Sequence, residues 1–246
     1  MQRYYTRACN FYFGNQSKIL VNKKKTIPLH QLKEISFDHV EVITRKTNRR
    51  ISINKIKQLP RNIKKKINAD LAKIKSKKIN FSKFNFKKIP NILGVLNLTP
   101  DSFSDGGKFN QKNKGISHAI NLYKNGAQVV DIGGESTRPG SKPVHEKQEW
   151  GRIKKSLKLI VKKIPISLDT RKSGIMEKGI IMGVKLINDV SGLNYDPKTV
   201  DILKKYKIPF VIQHSIGTPE NMQKNPKYEN ELLDIYDYFE DKIKLI

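Results

Sequence analysis

Cysteine is almost missing from this 246-residue chain. Cys9 stands alone, so no internal disulfide can form, and a reducing, cytoplasmic setting is expected. Acidic residues are scarce over residues 1–90, where four Asp and Glu face 24 Lys and Arg for a net charge of +20. The remaining residues contribute +7 of the total +27. Glycine is nearly absent from the same stretch, since Gly14 is the only one of fifteen before Gly94. Long hydrophobic runs are missing throughout. The N-terminal MQRYYTRACNFYFG has no apolar stretch of signal-peptide length and nothing later could span a bilayer, so a soluble protein with no membrane partner is expected. Hydrophobic residues make up only 37%, yet ten Phe and nine Tyr argue against disorder. Length allows one large domain or a domain plus an extension. The shift in charge and glycine puts the boundary near Pro90.

The basic first part, residues 1–90, has two readings. It could be an electrostatic footprint for nucleic acid or another polyanion. It could equally reflect AT-rich codons, because Lys, Ile and Asn all abound and the lysines are scattered rather than gathered on a recognition helix. The second reading is preferred, and nucleic acid is the disfavoured partner. The pattern still predicts folded structure. FDHVEVITRKTNRRISINKI (38–56) alternates apolar and polar residues on both sides of a polar turn, as a hairpin would. LPRNIKKKINADLAKIKSKK (59–78) sets Ile63, Ile67, Leu71 and Ile74 at helical spacing, with Pro60 near the start. A small α+β unit of strands and one helix is expected, and its role is open.

Residues 91–246 have a rhythm. Short apolar runs recur at 92–97 (ILGVLN), 128–133 (QVVDIG), 165–169 (PISLD), 185–190 (KLINDV) and 209–214 (PFVIQH). Between them lie ISHAINLYKNGA, WGRIKKSLKLIVKK, SGIMEKGIIMG and PKTVDILKKYK, each with helical periodicity. The first, third and fifth runs are nearly all apolar, as buried parallel strands should be. Strand and helix in alternation predict a parallel sheet with right-handed crossovers.

Polar residues gather at the ends of these runs: Asn97, then Asp131 and Glu135, then Asp169, then Asn188 and Asp189, then His214. Singly, each is a plausible helix cap or a satisfied buried histidine. Five in succession match the C-terminal rim that carries the active site of (β/α)8 barrels, although doubly wound sheets also bind ligands at strand ends. The barrel is the preferred reading. LNLTPDSFSDGG (96–107) stands out as an acidic, glycine-ended loop directly after the best buried-strand candidate.

Five strings in this order, GVLNLTPDSFSDGG, VVDIGGESTRPGS, PISLDT, LINDVSGL and HSIGTPENMQ, resemble the dihydropteroate synthase family, pterin-binding TIM-barrel enzymes of folate biosynthesis. The first two are long and specific; the others are weaker but correctly ordered. The resemblance runs from about residue 91 to 246. It implies a transferase that joins 6-hydroxymethyl-7,8-dihydropterin diphosphate to p-aminobenzoate, giving dihydropteroate and pyrophosphate. Asp169 resembles the carboxylate that accepts hydrogen bonds from the pterin ring, and Asn188 the amide that supplies a paired donor and acceptor. Asn97 is similar to the residue associated with the Mg²⁺ that accompanies the diphosphate, an oxygen ligand suited to a hard cation. Thr137 is similar to a diphosphate contact. Arg138 would bind diphosphate or pin the loop by pairing with Asp101. In the family the TPDSFSDGG loop closes over the site, with Phe103 and Pro139 walling the aminobenzoate pocket. Gly106 and Gly107 let the chain bend, and closure would keep water from the electrophilic pterin methylene.

The resemblance also implies three segments not found here: a DPGFGFGK-like strand with another pterin-binding Asp, a strand with the Lys and Ser of an SRK-like loop, and a terminal Arg-x-His. Five βα units, ending in the helical ENELLDIYDYFEDKIKLI (229–246), are counted against the eight of a full barrel. A fragment of a longer gene product is therefore expected over a truncated chain that cannot close its barrel, with the family's homodimer reserved for the full-length protein. Two other functions stay open: a non-catalytic pterin or diphosphate binder, and a nucleic-acid binder acting through residues 1–90.

Overall fold

The computed structural model describes residues 3–78, 80–81, 84, 90–99, 114–218, 221 and 225–246. The chain divides into two compact units, Met1–Ile79 and Asn80–Ile246. Among the described residues no helix is long and apolar enough to cross a membrane.

In the first unit the long strand β3 (Leu32–Ile43) is the centre of an antiparallel sheet. It pairs with β1 (Tyr5–Phe13) along its length, and with β2 (Ile27–Leu29) and β4 (Asn48–Ser52) at its two ends. The β3–β4 pair is the hairpin expected from the alternation. Thr44 closes its turn, the Thr47 amide donating to Thr44 Oγ1 at 2.9 Å. Helix α2 (Arg61–Lys75) buries Ile67 and Leu71 and packs Ile63 and Ile74 more loosely, as their spacing required. They meet Phe37, Val40, Val42, Ile51 and Ile56 in one core. Helix α1 (Gly14–Asn22) is an addition to the single helix expected. Its first turn carries no acidic residue and its last no basic one, so the usual dipole signals are missing. It is held by packing and by Ser17, whose hydroxyl donates to the Lys33 carbonyl at 2.7 Å.

The second unit is a five-stranded parallel sheet: β5 (Leu93–Asn97), β6 (Val129–Gly133), β7 (Ile166–Asp169), β8 (Leu186–Asp189) and β9 (Phe210–Ile212). Each strand pairs with the one before it in the chain, so the order never reverses. A doubly wound sheet needs such a reversal at its switch point; sequential order is that of neighbouring staves in a (β/α)8 barrel. The helices are α3 (Lys114–Lys124), α4 (Glu146–Ile160), α5 (Ser173–Met182), α6 (Thr199–Tyr206) and α7 (Glu231–Leu245). One sheet face carries Leu96, Val130, Ile132, Ile166, Leu168 and Ile187, all in the core with Ile153, Leu157, Ile175, Met176 and Leu203 from the helices. Because side chains alternate across a strand, the residues between them point to the other face, where the polar strand ends lie. Gly183 stops α5 at φ 107°, a left-handed turn that a side chain would strain.

Candidate functional site

Sheet register brings the polar strand ends into one row. Asn97 pairs with Gly133, Gly133 with Asp169, Asp169 with Asn188, and Asn188 with Val211. Two pairs nearer the strand starts, and so on the same face, Asp131 sits between Val95 and Ser167. Gly133 is the gap in the row. A Cβ there would lie 3.2 Å from Asp169 Oδ2 and 3.3 Å from Asn97 Oδ1, so its missing side chain is what lets those two side chains lean together. The row opens into a cavity of about 350 Å³ whose walls include Asn97, Asp131, Thr137, Asp169, Arg171 and Asn188.

The floor of this cavity is short of donors. Asn188 Nδ2 donates to Asp131 Oδ2 at 2.9 Å, crossing over β7. Among the described residues Asp169 Oδ1 and Asn188 Oδ1 are buried without a partner. A buried polar atom left bare costs about 1–3 kcal/mol, so these two oxygens are acceptors open to whatever enters the cavity. Burial pushes the Asp169 carboxyl well above the usual carboxylate range, and the neighbouring Asp131, Glu149, Asp189 and Glu135 push it further. Burial also raises Asp131, with the Ser167 hydroxyl and the Asn188 amide working against it. Asp189 has another task. Its carboxylate accepts the Ser191 amide at 2.8 Å and the Leu193 amide at 2.9 Å, folding the loop after β8. Asn188 and Asp189, adjacent in sequence, thus serve the cavity and the loop respectively.

A second polar cluster braces the loops beside the cavity. Arg171 grips Glu135 through two bonds of 2.9 and 3.2 Å, and Lys172 lies 2.9 Å from Glu135 and 2.5 Å from Glu149. Thr170 donates to Glu149 at 2.6 Å. Burial alone would raise Glu135, but Arg171, the Val144 amide and Lys172 together hold it below its ordinary range. Glu149 stays raised, because burial outweighs what Lys172 and Thr170 offer. The Arg171 guanidinium stacks 4.0 Å over the Tyr195 ring, and both line the cavity. The loops after β6, β7 and β8 are therefore tied to one another.

Of the residues singled out from sequence, Asn97, Thr137, Asp169 and Asn188 share the cavity. Pro139 is exposed and Arg138 half-buried on the loop after β6. Neither lines the cavity among the described residues. Asp101 and Phe103 lie outside the described residues, as do Gly106 and Gly107, so the Asp101–Arg138 pair and the Phe103 wall have no structural account. Strand-end logic puts His214 at the cavity end of the fifth strand. Instead Gln213 and Ser215 line the cavity, while the His214 ring packs edge-on against Tyr238 of α7 at 4.7 Å. Arg171, Asn194 and Tyr195 escape sequence reasoning because they sit on loops with no periodic signal. For Gln213 the alternation along β9 was the available clue.

Among the described residues no group of three or more His, Cys, Asp and Glu is arranged to hold a metal ion. Asn97 alone offers a neutral oxygen at the cavity end of β5.

Comparison with known proteins bears on the second unit. Residues 93–246 match the family described as pterin binding enzyme. Dihydropteroate synthase of Neisseria meningitidis serogroup C is 44% identical over 153 residues, which cover 61% of this chain and 54% of the relative. The crystal structure of the Yersinia pestis dihydropteroate synthase with a sulfonamide drug superimposes with a TM-score of 0.62 at 35% identity, over 65% of this chain and 58% of that one. The Clostridium difficile dihydropteroate synthase, solved in the presence of pteroic acid, gives a TM-score of 0.57 at 36% identity, over 66% and 60%. The chain spans 54%, 61% and 48% of the length of three curated relatives it matches.

Proposed function

The chain belongs to the pterin-binding enzyme family, and from that membership we propose that it acts as a dihydropteroate synthase. Its substrates would be 6-hydroxymethyl-7,8-dihydropterin diphosphate and p-aminobenzoate. A C–N bond forms at the pterin methylene as the C–O bond to diphosphate breaks; the departing diphosphate keeps the electron pair and the amine gives up a proton. Such a substitution asks a protein chiefly to align two reactants and to offset charge on the leaving group.

In this reading Asp169 and Asn188 hold the pterin ring, and Thr137 and Arg138 serve the diphosphate. Asp101 with Arg138 would hold the closed loop, and Phe103 and Pro139 would flank the aminobenzoate. Asn97 fits a Mg²⁺ that takes most of its ligands from substrate phosphates and water, as that ion usually does. Bound there, it would neutralise charge building on the diphosphate. The lone Cys9 suits a reducing cytoplasm.

One observation carries the proposal: Asp169 and Asn188 are neighbours in register, each with a bare oxygen in the same cavity. That is what a flat heterocycle edged with N–H groups requires. Titration of the chain with 6-hydroxymethylpterin tests it. Asp169→Asn and Asn188→Ala should each weaken binding by about 1–3 kcal/mol, the cost of stranding a buried partner. Unchanged affinity in both would remove the assignment. Turnover is tested by pyrophosphate release with both substrates and Mg²⁺.

A further inference from the structure

Asp131 has no part in the reading above, yet its carboxylate accepts a hydrogen bond from the Asn188 amide. Asp131 is 5% exposed and Asn188 is 8% exposed, so neither exchanges freely with water. The contact between them runs from Nδ2 to Oδ2 at 2.9 Å. In that contact the carboxylate oxygen accepts and the amide turns its nitrogen toward it. The Asn188 carbonyl is then left for the cavity beside the second hydrogen of Nδ2, and that carbonyl has no partner among the described residues. Asp169, next in the row, likewise holds out a bare oxygen. On the intervening β7, Ser167 pairs in register with Asp131 and Asp169 with Asn188, so the bond crosses that strand on the diagonal between these two residues.

We propose that Asp131 is a positioning residue that locks the Asn188 amide carbonyl-inward, so that the cavity floor presents acceptors and selects the donor-rich edge of an amino-substituted ring. This rests on the pterin reading above and adds a selectivity to it. A 2-amino-4-oxo pteridine offers an amino group beside a ring N–H and can satisfy Asp169 and Asn188 together. A 2,4-dioxo pteridine puts a carbonyl where the amino group was, facing an acceptor floor, and is rejected. A site made to hydrogen-bond one group discriminates strongly against an analogue that lacks it, because its own buried atoms are then stranded.

The test uses the whole 246-residue chain and two probes, 6-hydroxymethylpterin and its 2,4-dioxo counterpart. The wild-type protein should prefer the amino ring by about a hundredfold or more. Asp131→Asn can pair with either end of the Asn188 amide, so it should narrow that ratio by about tenfold, one hydrogen bond's worth, while its melting temperature stays close to wild type. A ligand-independent readout is the Asn188 side-chain NH₂ signal in ¹⁵N-labelled protein. One proton should be shifted downfield and slow to exchange in the wild type, and ordinary in both Asp131→Asn and Asp131→Ala. A variant that retains the wild-type ratio, or a wild type whose Asn188 protons both show ordinary shifts and exchange, overturns the proposal. If the wild type binds neither ring, the pterin reading and the proposed ring selection both fail. The NH₂ signal then decides whether Asp131 orients Asn188.

Discussion

A carboxyl group set in a cavity among other carboxyls loses the hydration that favours its charge and meets like charge as well. Asp169 is in that position, and its pKa stands well above the ordinary 3.8. The native state therefore holds this proton more tightly than the unfolded chain does. The associated stability is fully present below 3.8 and is lost as pH rises through the raised native value. Asp169→Asn cannot ionise. Its stability relative to wild type should climb as pH is raised from about 4 into the neutral range, read from urea unfolding of the ligand-free protein. A difference that is flat across that window would mean Asp169 titrates as an ordinary surface carboxylate. The adjacent gap in the row makes a second demand. Gly133→Ala puts a methyl 3.2 Å from Asp169 Oδ2 and 3.3 Å from Asn97 Oδ1, forcing both to shift. Overpacking of this kind costs about 1–3 kcal/mol, and here it should appear in ligand affinity more than in melting temperature, because the displaced atoms face a cavity. Equal losses in both would show Gly133 to be a packing residue only.

At the scale of elements, three loops depend on one buried cluster. Glu135 takes two bonds from Arg171 and an ion pair from Lys172, whereas Glu149 shares Lys172 and one hydroxyl. Removing one side of a buried ion pair costs about 3–5 kcal/mol because the other charge is stranded. Glu135→Gln weakens both cations at once. Glu149→Gln leaves Lys172 with Glu135 and removes a carboxylate already held above its ordinary range. Glu135→Gln should thus lower the melting temperature more than Glu149→Gln, and a reversed order would place the hub at Glu149. Much of this unit was legible in advance, since the apolar runs at 92–97, 128–133, 165–169, 185–190 and 209–214 each contain a strand. Buried parallel strands announce themselves as short apolar runs, and the helices between them by period. Asn97, Asp169 and Asn188 followed from the same logic, as rim residues. The cross-loop partners did not, because Glu135, Arg171 and Tyr195 meet only after the sheet is assembled. His214 shows the limit of strand-end reasoning: a shift of one residue moves a side chain to the other face, and Gln213 takes the cavity side. In the first unit, β1 and α1 have neither strong alternation nor dipole-matched ends, so packing rather than local pattern determines them.

For the molecule as a whole, charge is the feature without an assigned use. Residues 1–90 carry +20 of the net +27, and within the first unit a cavity of about 430 Å³ is lined by His39, Arg49, Arg50 and Lys55. A polyanion would be drawn to such a surface whatever its sequence, since phosphate contacts position a nucleic acid but do not read it. Reading bases needs side chains presented to their edges in a groove, or aromatics spaced for stacking along a strand. The first unit offers two close aromatics on β1, Phe11 and Phe13, with ring centroids 6.5 Å apart. Phe11 also packs against the buried Phe37 at 6.0 Å, which ties it to the unit's own core. Its lysines are spread over α1, the 3-10 turn at Ile53–Gln58, α2 and the intervening turns. Binding through dispersed cations is binding by counterion release, and its affinity falls steeply with salt, by about a thousandfold or more between roughly 50 and 200 mM when six or more phosphates are contacted. The whole chain should therefore bind two unrelated oligonucleotides equally at low salt and release both as salt rises to physiological levels, as followed by fluorescence anisotropy. Tight binding that favours one oligonucleotide and survives at about 150 mM salt would contradict this, and would make the first unit a sequence reader rather than a charged extension of a pterin-binding fold.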